Sequence, residues 1–213
     1  MILPQSHTLT TRHLNRVFDN TVATYKYYWF LGILDACVKQ GKSRINVWDI
    51  MISMVANAWY PVNYFRLSFG KSESLYDAII TLQREYNIPI NISINELTEL
   101  LQALIQRREV RRLLNFLQMN VPFRFLRPWI DTSDDKQTVL RSQTFENGCL
   151  YKLEKIDRIW WVEINPTWLP YLRENYDILT SFAYWGLTNF LQVRNPNVPN
   201  IPNKLIKKEE RSS

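Results

Sequence analysis

Histidine, cysteine and glycine are all scarce in this chain, with two, two and five copies among 213 residues. Each shortage closes off a class of chemistry. His7 and His13 sit near the amino terminus, without a cysteine or carboxylate at zinc-ligand spacing, so no metal site is expected. Cys37 and Cys149 lie far apart with no second pair, which excludes a disulfide framework and predicts two buried thiols. The few glycines do not assemble a phosphate loop. Gly70-Lys71-Ser72 imitates the end of one, but Phe65 stands where its first glycine belongs, and an ordinary helix-opening turn is predicted there. Ser68 and Lys71 have the spacing of a serine nucleophile and its lysine, yet the companion Ser-Asp-Asn and Lys-Thr-Gly elements are missing. Long apolar runs are also lacking. The longest, Tyr27 to Leu34, ends at Asp35, far short of the roughly 20 residues of a membrane span. The opening stretch has no charged segment followed by an apolar one, so no secretory signal is read and a cytoplasmic protein is expected.

What the chain does have is aromatic bulk and positive charge. Eight Trp, eleven Tyr and ten Phe, within a hydrophobic content of 46%, are ample for a packed core. The net charge of +6 is unevenly spread. Residues 1–71 carry eight Lys/Arg against three acids, and residues 72–106 carry one Arg against five acids. Residues 107–128 hold Arg107, Arg108, Arg111, Arg112, Arg124 and Arg127 against Glu109 alone. All six cations of that block are arginines, whose planar fork grips phosphate or carboxylate through two bonds at once.

Apolar periodicity predicts a mainly α-helical protein with a small β-hairpin near 149–164 and a long C-terminal helix. A core helix is expected over 20–40, closed by Gly41, and a second runs from a cap at Asp49 to a break at Pro61. A third spans 72–86, with Glu73 and Asp77 near its positive end. Ser93 and Glu96 form a capping-box pattern that opens a fourth. In the next, Val110, Leu113, Leu114 and Leu117 fall within an arc of roughly 100°, and the four arginines from Arg107 to Arg112 cover roughly 140° opposite. Pro122 and Pro128 bracket a stiff aromatic connector, residues 131–147 read as a loop, and Asp157 marks the hairpin turn. Asn165-Pro166 opens a helix reaching residue 192 whose apolar surface is wide enough to be covered on more than one side. Pro196, Pro199 and Pro202 recur at the polyproline II repeat and predict an extended strut. The expected organisation is a helical region over 1–130, a hairpin and long helix over 131–194 packed on it, and a proline-rich strut with a charged linker over 195–213.

No catalytic constellation emerges. Asp131, Asp134, Asp135 and Glu163 lack the Glu-x-Lys partner of a metal-dependent nuclease. The functional signal is therefore the arginine block. Such a face is either solvated, paired with the acidic helices at 73–99, or a site for a phosphate backbone. In the last case Arg107, Arg108, Arg111, Arg112, Arg124 and Arg127 are the nucleic-acid-binding residues, and Phe123, Phe125 or Trp129 contact a base or line the groove. Trp160 and Trp161 invite the same suggestion, although strand alternation places at least one of them in the core.

Five blocks occur in order along the chain: Thr24 to Leu31 (TYKYYWFL), Ala58 to Phe65 (AWYPVNYF), Leu67 to Lys71 (LSFGK), Val121 to Trp129 (VPFRFLRPW) and Asn195 to Pro202 (NPNVPNIP). Together they resemble the amino-terminal region of bacterial HNH endonuclease-domain proteins. The resemblance implies an accessory region that holds DNA, recognises a partner or positions a nuclease, with an HNH module following the proline segment and a charged stretch like Lys207 to Arg211. No residue here matches the HNH motif, so no catalytic residue carries over, and the divalent metal and any cleavage belong to that downstream module. Nucleic acid, most readily DNA, is the expected partner. The alternative is a protein-interaction or oligomerisation module built on the apolar helix after Pro166, with a second copy of the chain as partner.

Overall fold

A computed structural model describes residues 3–19, 21–71 and 73–206. Asn20, Ser72 and the charged segment from Lys207 to Arg211, all used in the sequence reading, lie outside the described residues. The chain is mainly α-helical with one small antiparallel sheet, as its periodicity predicts. Among the described residues, no helix is long and apolar enough to cross a membrane.

The first half is helical. A short turn, α1 (Arg12–Asn15), leads to α2 (Tyr25–Leu34), which continues as a π-helical segment over Asp35–Lys39. Gly41, at φ +67°, ends it. From Tyr27 to Leu34 every residue of α2 is buried, which is why this apolar run has no amphipathic pattern: it is the axis of the core. Strand β1 (Arg44–Asn46) and α3 (Val47–Asn63) follow. Asn46 rather than Asp49 caps α3, its side chain accepting from the Trp48 amide at 2.9 Å. Pro61 does not break α3, which continues past it to Asn63. Its carbonyl still accepts from Leu67 N. Where α2 crosses α3, Gly32 permits the contact: a Cβ there would meet Ile50 Cγ2 at 2.9 Å.

Helix α4 (Ser74–Glu85) opens on Glu73, which is the cap rather than a first-turn acid. The buried Glu73 carboxylate accepts from Tyr76 N at 3.0 Å and from Thr24 Oγ1 at 2.8 Å, tying α4 to the start of α2. Helix α5 (Ile94–Leu104) begins with the expected reciprocal box between Ser93 and Glu96. The arginine-bearing helix is α6 (Arg108–Gln118), and Val121–Phe125 forms the short α7.

Two segments differ from expectation in the next stretch. Residues 131–147 are not a plain loop. Asp134 caps α8 (Asp135–Ser142), and a 3-10 turn spans Glu146–Gly148. The helix is hard to see in sequence because it turns Thr138 and Ser142 inward, and the Ser142 hydroxyl accepts from Leu153 N at 3.2 Å. Strands β2 (Tyr151–Ile156) and β3 (Ile159–Ile164) make the predicted hairpin, and β1 adds to the free edge of β3, with Ile45 opposite Val162. Asp157 and Arg158 form its turn, at φ +48° and +68°. Glycine is the favoured residue for that left-handed geometry. Arg158→Gly is therefore expected to stabilise the fold by about 0.5–1 kcal/mol, seen as a raised urea midpoint.

The long C-terminal helix is two. Asn175 breaks it into α9 (Trp168–Glu174) and α10 (Tyr176–Arg194). The chain after α10 is also not a free strut. Asn195 clamps it to the loop before α4, its side chain accepting from Ser68 N and donating to Ser68 O, both at 2.8 Å. Ile201 and Leu205 are buried, and Pro202 opens a short helix, α11 (Pro202–Leu205), packed on α3 and α10. Proline spacing describes a solvated chain. Here two apolar side chains supply the burial that outweighs it, and Pro202 loses no hydrogen bond at a first helical position.

One polar relay crosses the centre. Trp29 Nε1 donates to the Tyr151 hydroxyl at 3.1 Å, and that hydroxyl donates to Pro122 O at 2.7 Å. It joins α2, β2 and α7 where all three side chains are out of water.

Candidate nucleic-acid interface

The amphipathic reading of α6 holds in three dimensions. Val110, Leu114 and Leu117 are buried against the core, and Leu113 is half-buried beside them. Arg108 and Arg112, one turn apart, are exposed, and their side chains make no hydrogen bond or ion pair with the described residues. Asn115 and Met119 continue the same stripe at helical spacing. The other two arginines lie on the flank and are held by neighbours. Arg107 stacks its guanidinium over the Tyr86 ring at 5.5 Å. Arg111 donates to Ile105 O at 2.8 Å and to Gln106 Oε1 at 3.1 Å, and lies 5.8 Å from the centre of the Trp48 ring. Among the described residues none of these arginines is ion-paired, so the acidic helices α4 and α5 do not neutralise them.

Arg124 and Arg127 form a second cationic group with Lys26 of α2. Arg124 donates to the Tyr25 hydroxyl at 3.1 Å, and Lys26 Nζ donates to Val17 O at 3.3 Å. Burial lowers the Lys26 pKa, and the nearby charges of Arg127 and Arg124 lower it further. Asp19 offsets part of the repulsion among these three cations, and the net effect on Lys26 remains a lowering. A cavity of about 360 Å³ lies between Arg124 and α6, lined by Arg124, Lys71, Arg194, the acid Glu73 and Phe116 of α6. The glycine before Lys71 belongs to this wall: Gly70 has φ +115°, and a Cβ on it would come within 3.0 Å of Arg194 Nε.

The lowered Lys26 pKa has a definite consequence for stability. A lysine with a depressed folded-state pKa binds its proton less well in the fold than in the unfolded chain. Its contribution therefore improves as pH rises from the folded value toward the ordinary 10.5. At neutral pH the charged lysine opposes folding. Lys26→Met is expected to raise the melting temperature while weakening anion binding, measured by thermal denaturation with and without added polyphosphate.

The aromatic contacts expected from the connector are corrected by the structure. Phe125 and Trp129 are core residues, 0% and 1% exposed, with Phe125 stacked against Phe30 and Trp129. Helix α7 packs against α2 and α8, and its Phe125 ring is enclosed between Phe30 of α2 and Tyr151 of β2. Phe123 is buried too, but its ring forms the floor of a separate cavity beneath Trp160. Trp160 and Trp161 are both half-buried, on opposite faces of the sheet. Arg44 covers Trp161, and Trp160 faces the cavity. Lys26, Lys71 and Arg194 were invisible as site members in the sequence, since they come from segments that only the tertiary fold brings together.

Two further features bear on catalysis. A larger cavity, about 910 Å³, is lined by Asp35, Lys39, Asp49, Glu99 and Tyr176. Lys39 Nζ bonds Asp35 Oδ1 at 3.0 Å, and the Tyr176 hydroxyl donates to the same oxygen at 2.8 Å. Burial works to lower the Lys39 pKa, but the bonds to Tyr176 and Asp35 outweigh it and raise the pKa, so this ammonium is no base at neutral pH. Its mixed charges also do not select phosphate. Cys37 and Cys149 are the predicted buried thiols, with burial pushing both pKa values up to about 12, which leaves no reactive thiolate.

Comparison of the chain with protein-family models, curated proteins and solved structures finds no match. The functional reading rests on the residues themselves.

Proposed function

We propose that this chain is a nucleic-acid-binding region that holds DNA through the exposed face of α6 and the Lys26, Arg124 and Arg127 group, and that it serves as an accessory or targeting part of an HNH-type nuclease. The observation that carries the reading is the pair of exposed arginines on α6, Arg108 and Arg112, which have no ion-pair partner among the described residues. Unpaired guanidiniums on a rigid helix are matched to phosphate oxygens, and each contact releases condensed counterions. Cleavage belongs to the HNH module, with its divalent metal, and not to residues of this chain. The test is binding of a duplex oligonucleotide, followed by anisotropy at several salt concentrations. Tight, salt-sensitive binding supports the reading. Absence of binding at low salt counts against it.

A second reading, self-association, is favoured by one observation. Ile178, Trp185 and Val193 are exposed on α10 at spacings that place them along one side of that helix. Light scattering across concentration separates the two: a dimer lost on Trp185→Ser would favour association through α10.

A further inference from the structure

The stripe of Arg108, Arg112, Asn115 and Met119 runs along α6 and ends at a cavity of about 380 Å³ between α6, α8 and the β2–β3 hairpin. Its lining combines aromatic rings with an excess of cations. Trp160 and Phe123 give it aromatic walls, their rings perpendicular and 5.3 Å apart. Lys136, Lys155 and Arg158 place three cations around it against one acid, Asp135, and none of the three is ion-paired among the described residues. Met119 is 57% exposed at its edge. Asn115 and Gln118 add side-chain amides, and Asn115 spends its donor on the weak sulfur acceptor of Met119 at 3.1 Å.

We propose that this cavity is a base pocket, in which an unpaired nucleotide of a single strand lying along the α6 arginines stacks on Trp160 while Lys136, Lys155 and Arg158 hold its flanking phosphates. The inference rests on the nucleic-acid reading above and specifies a site for it. Half-exposed aromatic rings bordered by cations suit single strands, because every base offers a π face and every linkage a charge. Lys155 Nζ, now 5.3 Å from the centre of the Trp160 ring, occupies the place that a base would take. Its stem is flexible and exposed, so the ammonium moves from ring to phosphate as the base enters. Arg158, in the hairpin turn, adds a cation from the sheet side of the cavity. A duplex fits this description poorly, since its bases are stacked within the helix and offer no free face to Trp160.

The test uses the full chain and three ligands: an oligothymidylate of about 12 nucleotides, the same strand carrying abasic sites, and a duplex of equal length. Wild-type protein is expected to bind the base-containing strand roughly ten-fold or more tightly than the abasic one. Trp160→Ala should remove that preference, leaving duplex affinity and the salt slope unchanged, and Trp160→Phe should keep most of it. Equal wild-type binding of the normal and abasic strands overturns the pocket, whatever the variants do. Equal loss of duplex and single-strand binding in Trp160→Ala overturns it as well, since the residue would then be acting through the fold. Failure of the wild type to bind any of the three ligands overturns the arginine-face reading itself, a result distinct from either of these.

Discussion

Trp29→Ala is expected to cost about 3–5 kcal/mol of folding stability. The ring is 0% exposed on a helix buried nearly all round, so the deletion leaves a cavity that no neighbouring side chain can swing in to fill. The truncation also removes the donor to the Tyr151 hydroxyl and the perpendicular ring contact at 6.2 Å between α2 and β2. Against the roughly 5–15 kcal/mol that holds a typical domain together, such a loss is a large fraction of the total. Urea denaturation of the variant measures it directly. A loss under about 1 kcal/mol would mean that α2 is not the axis of the core. Tyr151→Phe tests the same relay from β2. It leaves the Trp29 N–H and the Pro122 carbonyl buried without their partner, at about 1–3 kcal/mol for each unsatisfied group.

The second large effect concerns binding. Replacing Arg107, Arg108, Arg111 and Arg112 together by glutamine is expected to reduce duplex affinity by roughly three to four orders of magnitude at 0.1 M salt. Each phosphate contact contributes a slope of about −0.9 in log affinity against log salt, or roughly eight-fold between 1 M and 0.1 M. The loss should fall almost equally on all sequences, because phosphate contacts position a protein without reading bases. Stability should respond differently at each position. Arg107 and Arg111 also pack on Tyr86 and Trp48, so their replacement is expected to lower the melting temperature slightly, whereas Arg108 and Arg112 are free of such contacts.

Much of this architecture is legible in the chain before any coordinates. The capping box at Ser93 and Glu96, the one-sided α6 and the hairpin turn at Asp157 are local patterns with local causes, and they appear where the patterns place them. The failures share a physical origin. Helix α8 reads as loop because its inward residues are Thr138 and Ser142, polar side chains whose hydroxyls bond back to Asp134 O and Val139 O, while Ser142 also accepts from Leu153 N of β2. The proline segment reads as a strut because its spacing ignores where Ile201 and Leu205 can go. Strand β1 has three residues and exists only because β3 offers an edge. At the candidate interface, the arginines of one helix announce themselves by spacing. The cations grouped around Arg124, namely Lys26, Lys71 and Arg194, belong to distant segments, and Phe125 and Trp129 look available in sequence yet are consumed by the core.

The central claim is that the unpaired α6 arginines meet phosphates, and the salt dependence of duplex binding by Arg108→Gln/Arg112→Gln tests it most directly. These two side chains hold no other residue in place, so the variant should melt with the wild type. The slope of log affinity against log salt should become shallower by about 2. An unchanged slope, with the fold intact, would contradict the account and remove α6 from the interface.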